Sequence, residues 1–277
     1  MIHPVDYGDV RYFRMARTYW GRAFYWTGVY YLDGLLIDSG PPNLARSIAQ
    51  LIRELGVRDA VTTHHHEDHS GNNRLLQDSF GILPLAHAAS LPLLARPDVT
   101  PLAYRRAIWG VPRSSEARLV GSSIETPRFR FEVIETPGHA LDHIALFESS
   151  RGWMFTGDLY LAPRLKVLRA DEDVHALIGS LRRLAAFDPE VIFCQHRGRV
   201  EKGGAALRQK LDFLTELGER VRSLHQRGLP EAEIAKRLGG SDFFWRLGTA
   251  GDFSKQNFVR SFLRGGAVPP LHGSAIL

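Results

Sequence analysis

The chain has 277 residues, 44% hydrophobic and 23% charged, and its single cysteine excludes an intrachain disulfide. It contains no run near the roughly 20 apolar residues of a membrane span, and its N-terminus lacks the apolar core of a secretory signal. The net charge is +5; residues 197–277 carry a surplus of six positive charges and residues 1–196 carry −1. We therefore expect a globular, cytoplasmic protein with no membrane partner, and the modest basicity disfavours nucleic acid. The sequence leaves the oligomeric state open.

Alternating strand and helix patterns run through residues 1–202. Two apolar runs in residues 24–38 meet at Asp33-Gly34, which predicts a β-hairpin. Asn43 is the expected N-cap of a helix that continues to Leu55 and ends at Gly56. Short strands are predicted at 57–62, 82–86, 128–135, 143–148, 152–156 and 191–194, and helices at 87–96 and 173–187.

The remaining segments differ in character. The apolar residues in 97–127 show no clean helical or strand periodicity. We interpret this segment as an irregular loop that forms a flap over the site. Residues 203–277 form a helical extension, with one long amphipathic helix from Gly203 to about Gly228 and shorter helices at 231–238 and 254–263. Residues 229–240 could begin a DNA-binding helix-turn-helix, but a small packing helix is the favoured interpretation.

Potential metal ligands are concentrated between His64 and His69. This segment holds four histidines and two carboxylates directly after a predicted buried strand, and burying so many polar groups without partners is costly. His64 and His66 lie at i and i+2 on extended backbone, so they point the same way and can share one metal ion. Asp68 and His69 could hold a second ion, whereas His65 and Glu67 face away and are expected in supporting or surface roles. A solvated polar turn, or a weak adventitious metal site, is the alternative.

The H-x-H-x-D-H pattern resembles that of the metallo-β-lactamase superfamily, especially its glyoxalase II-like and lactonase-like branches. The remaining landmarks follow in the family's order as Thr136-Pro137-Gly138-His139, Phe155-Thr156-Gly157-Asp158 and Gln195-His196-Arg197-Gly198. The hairpin that ends in Leu36-Ile37-Asp38-Ser39-Gly40 also looks like the family's opening element. The resemblance spans residues 24–200. It departs from the family's pattern at Gln195, where glycine is common before the last histidine, and it includes no clear substrate-specific motif.

The resemblance implies an α/β fold, a four-layer αββα sandwich whose C-terminal helices cover part of the active-site mouth. It implies two metal sites, the first formed by His64, His66 and His139 and the second by Asp68, His69 and His196, with Asp158 bridging both. Two divalent ions, preferably Zn²⁺ with Fe or Mn as alternatives, would activate a hydroxide that attacks an ester, thioester or lactone. In that mechanism Asp68 would also orient the hydroxide.

Several residues near the motifs are candidates for contacts with a small-molecule substrate. Tyr160 could donate a hydrogen bond to the substrate oxyanion, or it could be a packing residue. Arg197, Arg199 and Lys202 could bind an anionic part of the substrate, or form a solvated basic loop. We interpret His143 as a hydrogen-bonding residue behind the metals and not as a ligand.

Three other functions compete with ester, thioester or lactone hydrolysis. A phosphodiesterase or ribonuclease of the same superfamily is disfavoured by the lack of a long inserted domain. An iron-dependent sulfur dioxygenase would need only the first metal site, and the complete second set argues against it. From a different class, the protein could be a signalling or regulatory binder with residual hydrolase activity.

Overall fold

The computed structural model describes residues 1–264, which form two main β-sheets with helices on their outer faces. The first sheet contains, in spatial order, β1 (Ile2–Asp6), β2 (Arg11–Met15), β5 (Thr27–Leu32), β6 (Leu35–Ile37), β7 (Asp59–Val61), β8 (Leu85–Ala86) and β9 (Arg118–Leu119). The second contains β10 (Ser123–Glu125), β11 (Arg130–Glu135), β12 (Ile144–Glu148), β13 (Trp153–Phe155), β15 (Val191–Cys194) and β16 (Gly198–Glu201). Two short ribbons pair β3 (Thr18–Tyr19) with β4 (Arg22–Ala23) and β14 (Leu168–Arg169) with β17 (Phe253–Ser254).

The described chain also contains ten α-helices. They are α1 (Ala45–Leu55), α2 (Glu67–Ser70), α3 (Asn73–Phe80), α4 (Ser90–Ala95), α5 (Ala103–Ile108), α6 (Val174–Ala186), α7 (Gly203–Gln226), α8 (Glu231–Arg237), α9 (Phe243–Gly248) and α10 (Lys255–Leu263). Within residues 1–264, none of these helices is long and apolar enough to cross a lipid bilayer.

The central strands of the second sheet, β12, β13 and β15, bury both of their faces, and the alternation of their side chains creates the layers. In β15, Val191 and Phe193 pack in the core between the two sheets, whereas Ile192 and Cys194 pack in the core beneath the helices. Successive side chains point to opposite faces of a strand, so a short, wholly apolar strand is expected where both faces are covered. The predicted αββα sandwich is confirmed.

Helices cover the two sheets on their outer sides. Residues of α1 and α3 pack on the first sheet through a core that includes Leu36 and Ile48. Residues of α6, α7, α8 and α10 share a single core with the outer face of the second sheet. The predicted boundary between residues 202 and 203 coincides with the beginning of α7, and the division into two units stays a prediction. Residues 265–277 of the predicted extension lie outside the described residues.

Local predictions agree with the structure in part. The hairpin around Asp33-Gly34 is confirmed as β5 and β6. The prediction that Asn43 caps α1 is wrong, because Asn43 lies inside a 3₁₀ turn, Pro42–Leu44, and its side-chain amide donates to the Ile108 carbonyl at 2.6 Å. A tertiary contact therefore takes the side chain that the local pattern assigns to a cap. The segment 97–127, which we expected to be irregular, contains α5, β9 and β10. Strands β1 and β2, the ribbon β3–β4 and helices α3 and α9 are among the elements that the sequence did not predict.

Candidate metal centre

The metal-binding motifs follow strands and meet at one edge of the sandwich. His64 comes three residues after β7, and His139, Asp158 and His196 come shortly after β11, β13 and β15. Strand β12 is antiparallel to both β11 and β13, and β13 is parallel to β15, so the carboxyl ends of β11, β13 and β15 lie on the same side. Packing of the two sheets brings the loop after β7 to these ends, and all four loops start from rigid strands.

Two glycines let these loops approach each other closely. Gly157 has a φ of +49°, and a Cβ at this position would lie 2.4 Å from Nε2 of His143. Gly138 has a φ of +138°, and a Cβ there would lie 2.4 Å from the Leu177 backbone nitrogen. Both positions disfavour a side chain sterically and conformationally. The glycines directly before Asp158 and His139 are therefore required by the packing around the site.

The first cluster consists of three buried histidines from two loops: His64, His66 and His139. Nδ1 of His66 lies 2.8 Å from Nε2 of His64 and 3.0 Å from Nε2 of His139. These three nitrogens converge on one point. His66 is extended, with a φ of −60° and a ψ of 152°, and directly precedes α2. The i, i+2 pair of His64 and His66 therefore faces the same way, as predicted.

The second cluster consists of two carboxylates and two imidazoles, namely Asp68, His69, Asp158 and His196. The single turn of α2 carries Asp68 and His69 away from the first cluster. Nε2 of His196 lies 3.2 Å from Oδ2 of Asp68 and 3.1 Å from Oδ2 of Asp158. Nε2 of His69 lies 3.4 Å from Oδ1 of Asp158.

Asp158 lies between the two clusters. Its Oδ2 atom is 3.5 Å from Nε2 of His139, which belongs to the first cluster, and 3.1 Å from Nε2 of His196 in the second. One carboxylate thus reaches both groups of ligand atoms. The arrangement is that expected of a bridging ligand.

The donor atoms fit divalent metal ions by distance and by chemistry. Ligands about 2.1 Å from a tetrahedral Zn²⁺ are separated by about 3.4 Å, close to the separations found here. Nε2 of His69 and Oδ1 of Asp158 are buried and have no hydrogen-bond partner among residues 1–264. Buried polar atoms are nearly always paired, so these two atoms indicate a partner of another kind. Imidazole and carboxylate ligands suit Zn²⁺, Fe and Mn.

The electrostatic environment differs between the two clusters. Burial, together with the neighbouring cationic groups, lowers the pKa of His64 and His66 well below the usual value, so both imidazoles are neutral and can ligate a metal. Burial also opposes the protonation of His69 and His196, but the carboxylates beside them prevail and raise the pKa of both. The second cluster therefore stabilises positive charge, which favours a cation.

A buried carboxylate that sequence reasoning did not assign supports the second cluster. Oδ2 of Asp38 lies 2.8 Å from Nδ1 of His69 and accepts from the side-chain amide of Gln195 at 2.7 Å. Oδ1 of Asp38 accepts from the backbone N–H of Thr63 at 2.7 Å. The contact between Asp38 and Nδ1 of His69 orients Nε2 of His69 towards the ligand cluster, as carboxylates behind metal-binding histidines generally do. It also gives Gln195, the departure from the family pattern, a structural role.

A second unassigned carboxylate supports the first cluster. Oε1 of Glu172 lies 2.5 Å from Nδ1 of His139, and Oε2 accepts from the backbone N–H of Arg169 at 2.9 Å. Nδ1 is therefore occupied, which leaves Nε2 of His139 directed at the cluster. Glu172 comes from the loop before α6, and no sequence motif identifies it.

We expect Glu172→Gln to lower the affinity of the first cluster for metal by about 10- to 100-fold, because a neutral amide orients and polarises His139 less well. The measurement is competition for Zn²⁺ against a chromophoric chelator. Glu148→Gln is the matched control, because Glu148 is a buried carboxylate that accepts hydrogen bonds from Ser150 and Arg151. Unchanged affinity in Glu172→Gln would exclude this role.

The other polar residues of the motifs face partners outside the two clusters. Nδ1 of His65 lies 2.9 Å from Asp142. Glu67 is buried and pairs with Arg105 of α5 at 2.5 Å, which ties that helix to the site. His143 accepts from the Asp158 backbone N–H at 3.0 Å, in the place that we predicted behind the metals.

The predicted substrate-binding residues lie in different surroundings. Arg197, Arg199 and Lys202 are exposed, and Arg199 pairs with Glu201 at 2.8 Å. Tyr160 is buried in the core beneath the helices. Behind it, the buried ammonium of Lys210 donates to the Leu159 carbonyl at 2.5 Å, so α7 supports the loop that carries Asp158.

An arginine that was not predicted lies against the first cluster. Arg169 of β14 is buried and pairs with Asp171, and its Nη2 lies 2.6 Å from Nε2 of His66. This is the imidazole nitrogen that points away from the other ligands. The C-terminal β17 pairs with β14 and so supports this arginine.

Comparison with known proteins relates this site to one family. The family model described as the metallo-beta-lactamase superfamily matches residues 30–196. The chain is 28% identical over 246 residues to a probable metallo-hydrolase of Bacillus subtilis (strain 168), covering 73% of this chain and 76% of that protein. It is 29% identical over 158 residues to a hydroxyacylglutathione hydrolase of Rhodospirillum rubrum, covering 56% of this chain and 55% of the relative, about half its length.

Solved structures show the same fold. A metallo-beta-lactamase family protein from Thermus thermophilus superposes with a TM-score of 0.65 at 20% identity, and the match covers 92% of each chain. The metallo-beta-lactamase from Pontibacter korlensis superposes with a TM-score of 0.61 at 19% identity and covers 78% of this chain. At these identities the likeness concerns the fold alone.

Proposed function

Since the chain belongs to the metallo-β-lactamase superfamily and is a metal-dependent hydrolase, we propose that its substrate is a carboxylic ester, thioester or lactone and that it uses two divalent ions. The observation that carries this proposal is the pair of adjoining ligand clusters that share Asp158. A relative acts on hydroxyacylglutathione, which is an acyl thioester, and this supports acyl transfer to water.

The site residues of the chain would have distinct roles in metal binding and in orienting the attacking water. His64, His66 and His139 would hold the first ion; Asp68, His69 and His196 would hold the second, and Asp158 would bridge them. Ions in these sites would supply Lewis acidity, which lowers the pKa of water and polarises the acyl carbonyl. Asp68 has an oxygen directed at His196 and would help to orient the attacking water. Zn²⁺ is the favoured ion, with Fe and Mn as alternatives.

A substrate panel tests the proposed reaction. Metal-loaded protein is given an acidic acyl thioester, an acyl lactone, an aryl ester, a phosphodiester and a cephalosporin. We expect turnover of one of the first three. Selective phosphodiester cleavage would instead identify a nuclease-type enzyme. No turnover by protein that carries metal would overturn the proposal in favour of the sulfur dioxygenase or the signalling binder.

The basic C-terminal region motivates a narrower hypothesis, namely that the substrate carries an anionic group. Arg197 directly follows the ligand His196 and is exposed, so it remains our candidate for this contact. Arg199, which pairs with Glu201, and Lys202 remain weaker candidates. Much faster turnover of neutral esters than of acidic analogues would contradict an anionic substrate.

We propose that the Tyr160 hydroxyl donates a hydrogen bond to the substrate oxyanion, and Tyr160→Phe tests this. The loss of one such donor is expected to lower kcat by about 100-fold at nearly unchanged KM and metal content. Tyr31→Phe is the control, because that hydroxyl donates to the Leu55 carbonyl on the outer side of the first sheet. Wild-type kcat in Tyr160→Phe would assign Tyr160 to packing alone.

A further inference from the structure

The buried guanidinium of Arg169 lies against a metal ligand and has no role in the function proposed so far. Its Nη2 atom is 2.6 Å from Nε2 of His66. Nδ1, the other nitrogen of that imidazole, converges with Nε2 of His64 and Nε2 of His139. Arg169 is 5% exposed, so water and salt screen its charge little. The guanidinium therefore acts directly on a ligand of the first cluster.

The other four imidazoles of the two clusters each turn their second nitrogen towards an oxygen atom. The four pairs are His139 with Glu172, His69 with Asp38, His196 with the Trp26 carbonyl, and His64 with the Thr63 hydroxyl. Such oxygens accept the N–H that a metal-bound imidazole carries on its free nitrogen, which is the usual arrangement. Within residues 1–264, His66 is the one ligand imidazole whose free nitrogen faces a cation instead.

The contact between Arg169 and His66 opposes metal binding, because a guanidinium has N–H donors and no acceptor. When Nδ1 of a neutral His66 binds a metal ion through its lone pair, the imidazole proton lies on Nε2 and meets the N–H groups of Arg169. A hydrogen bond from Arg169 to Nε2 instead requires the tautomer with its proton on Nδ1, and that nitrogen cannot ligate. Arg169 and a metal ion therefore compete for His66.

The charge of Arg169 opposes a metal ion as well. Asp171 accepts hydrogen bonds from Nε of Arg169 at 2.5 Å and from Nη2 at 2.9 Å. The Asp171 side chain is 57% exposed, so water weakens its compensation of the buried guanidinium. By contrast, Asp68 and Asp158 are both among the ligand residues of the second cluster. The first cluster therefore attracts a divalent cation less strongly than the second.

We propose that Arg169 makes the first cluster the weaker of the two metal sites, so that the second cluster fills first. This inference rests on the proposed function, because it assigns different affinities to the two halves of the proposed two-ion site. At limiting metal the protein would hold one ion, in the second cluster. Arg169 is thus a residue that sets the order of metal loading.

The test is competition for Zn²⁺ between the metal-free full chain and chromophoric chelators, which gives two stepwise dissociation constants. The wild type is expected to show two steps at least about tenfold apart, and His66→Ala should lose the weaker step. Arg169→Met removes the guanidinium and retains much of the apolar stem. In this variant the weaker step should strengthen by about tenfold or more, while the stronger step stays unchanged.

A second variant, Asp171→Asn, should change the same step in the opposite direction. It keeps the guanidinium but removes the charge that compensates it, so the weaker step should weaken further by about two- to fivefold. Arg118→Met is the control for loss of an arginine. Arg118 pairs with Asp59 at 2.7 Å, where β7 begins, at the opposite end of that strand from the metal ligands. Both dissociation constants should keep their wild-type values in this control.

The direction of the change separates this role from a structural one. If the ion pair of Arg169 and Asp171 merely held the site together, both variants would weaken the first cluster, and the inference would be wrong. Two equal affinities in the wild type would also overturn it, while the proposed function stands. If Arg169→Met failed to fold, unchanged or tighter binding in Asp171→Asn would refute the inference. A wild type that binds one ion only would refute the two-ion proposal itself.

Discussion

Asp158→Ala is expected to lower kcat/KM by more than about 1,000-fold, since the loss of a metal that stabilises the transition state by several kcal/mol corresponds to at least three powers of ten. The Oδ2 atom of Asp158 lies 3.5 Å from the first cluster at His139 and 3.1 Å from His196 of the second, so one substitution weakens both sites. The same variant should bind fewer metal ions than the wild type.

The experiment combines kcat/KM on the best substrate of the panel with metal analysis after dialysis. Asp78→Ala is the control, because Asp78 is a half-exposed carboxylate that pairs with Arg74 on the surface of α3. We expect it to behave as the wild type. If Asp158→Ala kept its full metal content and more than about a tenth of the wild-type kcat/KM, Asp158 would not bridge the sites.

The second large effect concerns Asp38, whose loss should impair both folding and metal binding. Asp38→Ala removes the acceptor for Thr63, His69 and Gln195 in a buried region. Each unsatisfied buried donor costs about 1–3 kcal/mol, so we expect about 3–5 kcal/mol of destabilisation in urea unfolding. Because His69 loses its orientation, metal affinity should fall by about 10- to 100-fold as well.

Asp38→Asn separates the two effects of Asp38. Asp38 has a φ of +65°, a conformation that Asn tolerates better than Ala, and the Asn side chain retains one acceptor. This variant should recover most of the stability but remain deficient in metal binding, because its amide cannot hold His69 as a carboxylate does. A stability loss below about 1 kcal/mol in Asp38→Ala would contradict the central position of this residue.

Local rules predict the direction of the four potential ligands in His64–His69, whereas His139, Asp158 and His196 enter the prediction through the resemblance to the family. Alternation on extended backbone aims His64 and His66 together, and the turn after them redirects Asp68 and His69. Each remaining motif follows a short apolar strand, so its loop leaves a rigid strand end. The order of these motifs along the chain therefore carries most of the information about the site.

The residues that support the ligands could not be predicted, because they come from distant parts of the chain. Glu172 lies 33 residues from His139, Asp38 lies 31 residues from His69, and Gln195 lies 157 residues from Asp38. These contacts depend on how two sheets and several loops pack against each other. The periodicity of apolar residues in the sequence does not predict that packing. Asn43 illustrates the same limit, since its tertiary contact with Ile108 overrides the capping role that its local sequence favours.

Titration of Zn²⁺ into metal-free wild type and His66→Ala, with hydrolysis followed at each step, tests the two-metal account most directly. His66 contributes the nitrogen nearest to both partners in the first cluster, and the exposed His225 on α7 provides a control, His225→Ala. We expect wild type and His225→Ala to bind two ions and to gain activity together, whereas His66→Ala should bind one ion fewer and stay inactive. Wild-type activity and metal stoichiometry in His66→Ala would show that the first cluster is not a catalytic metal site.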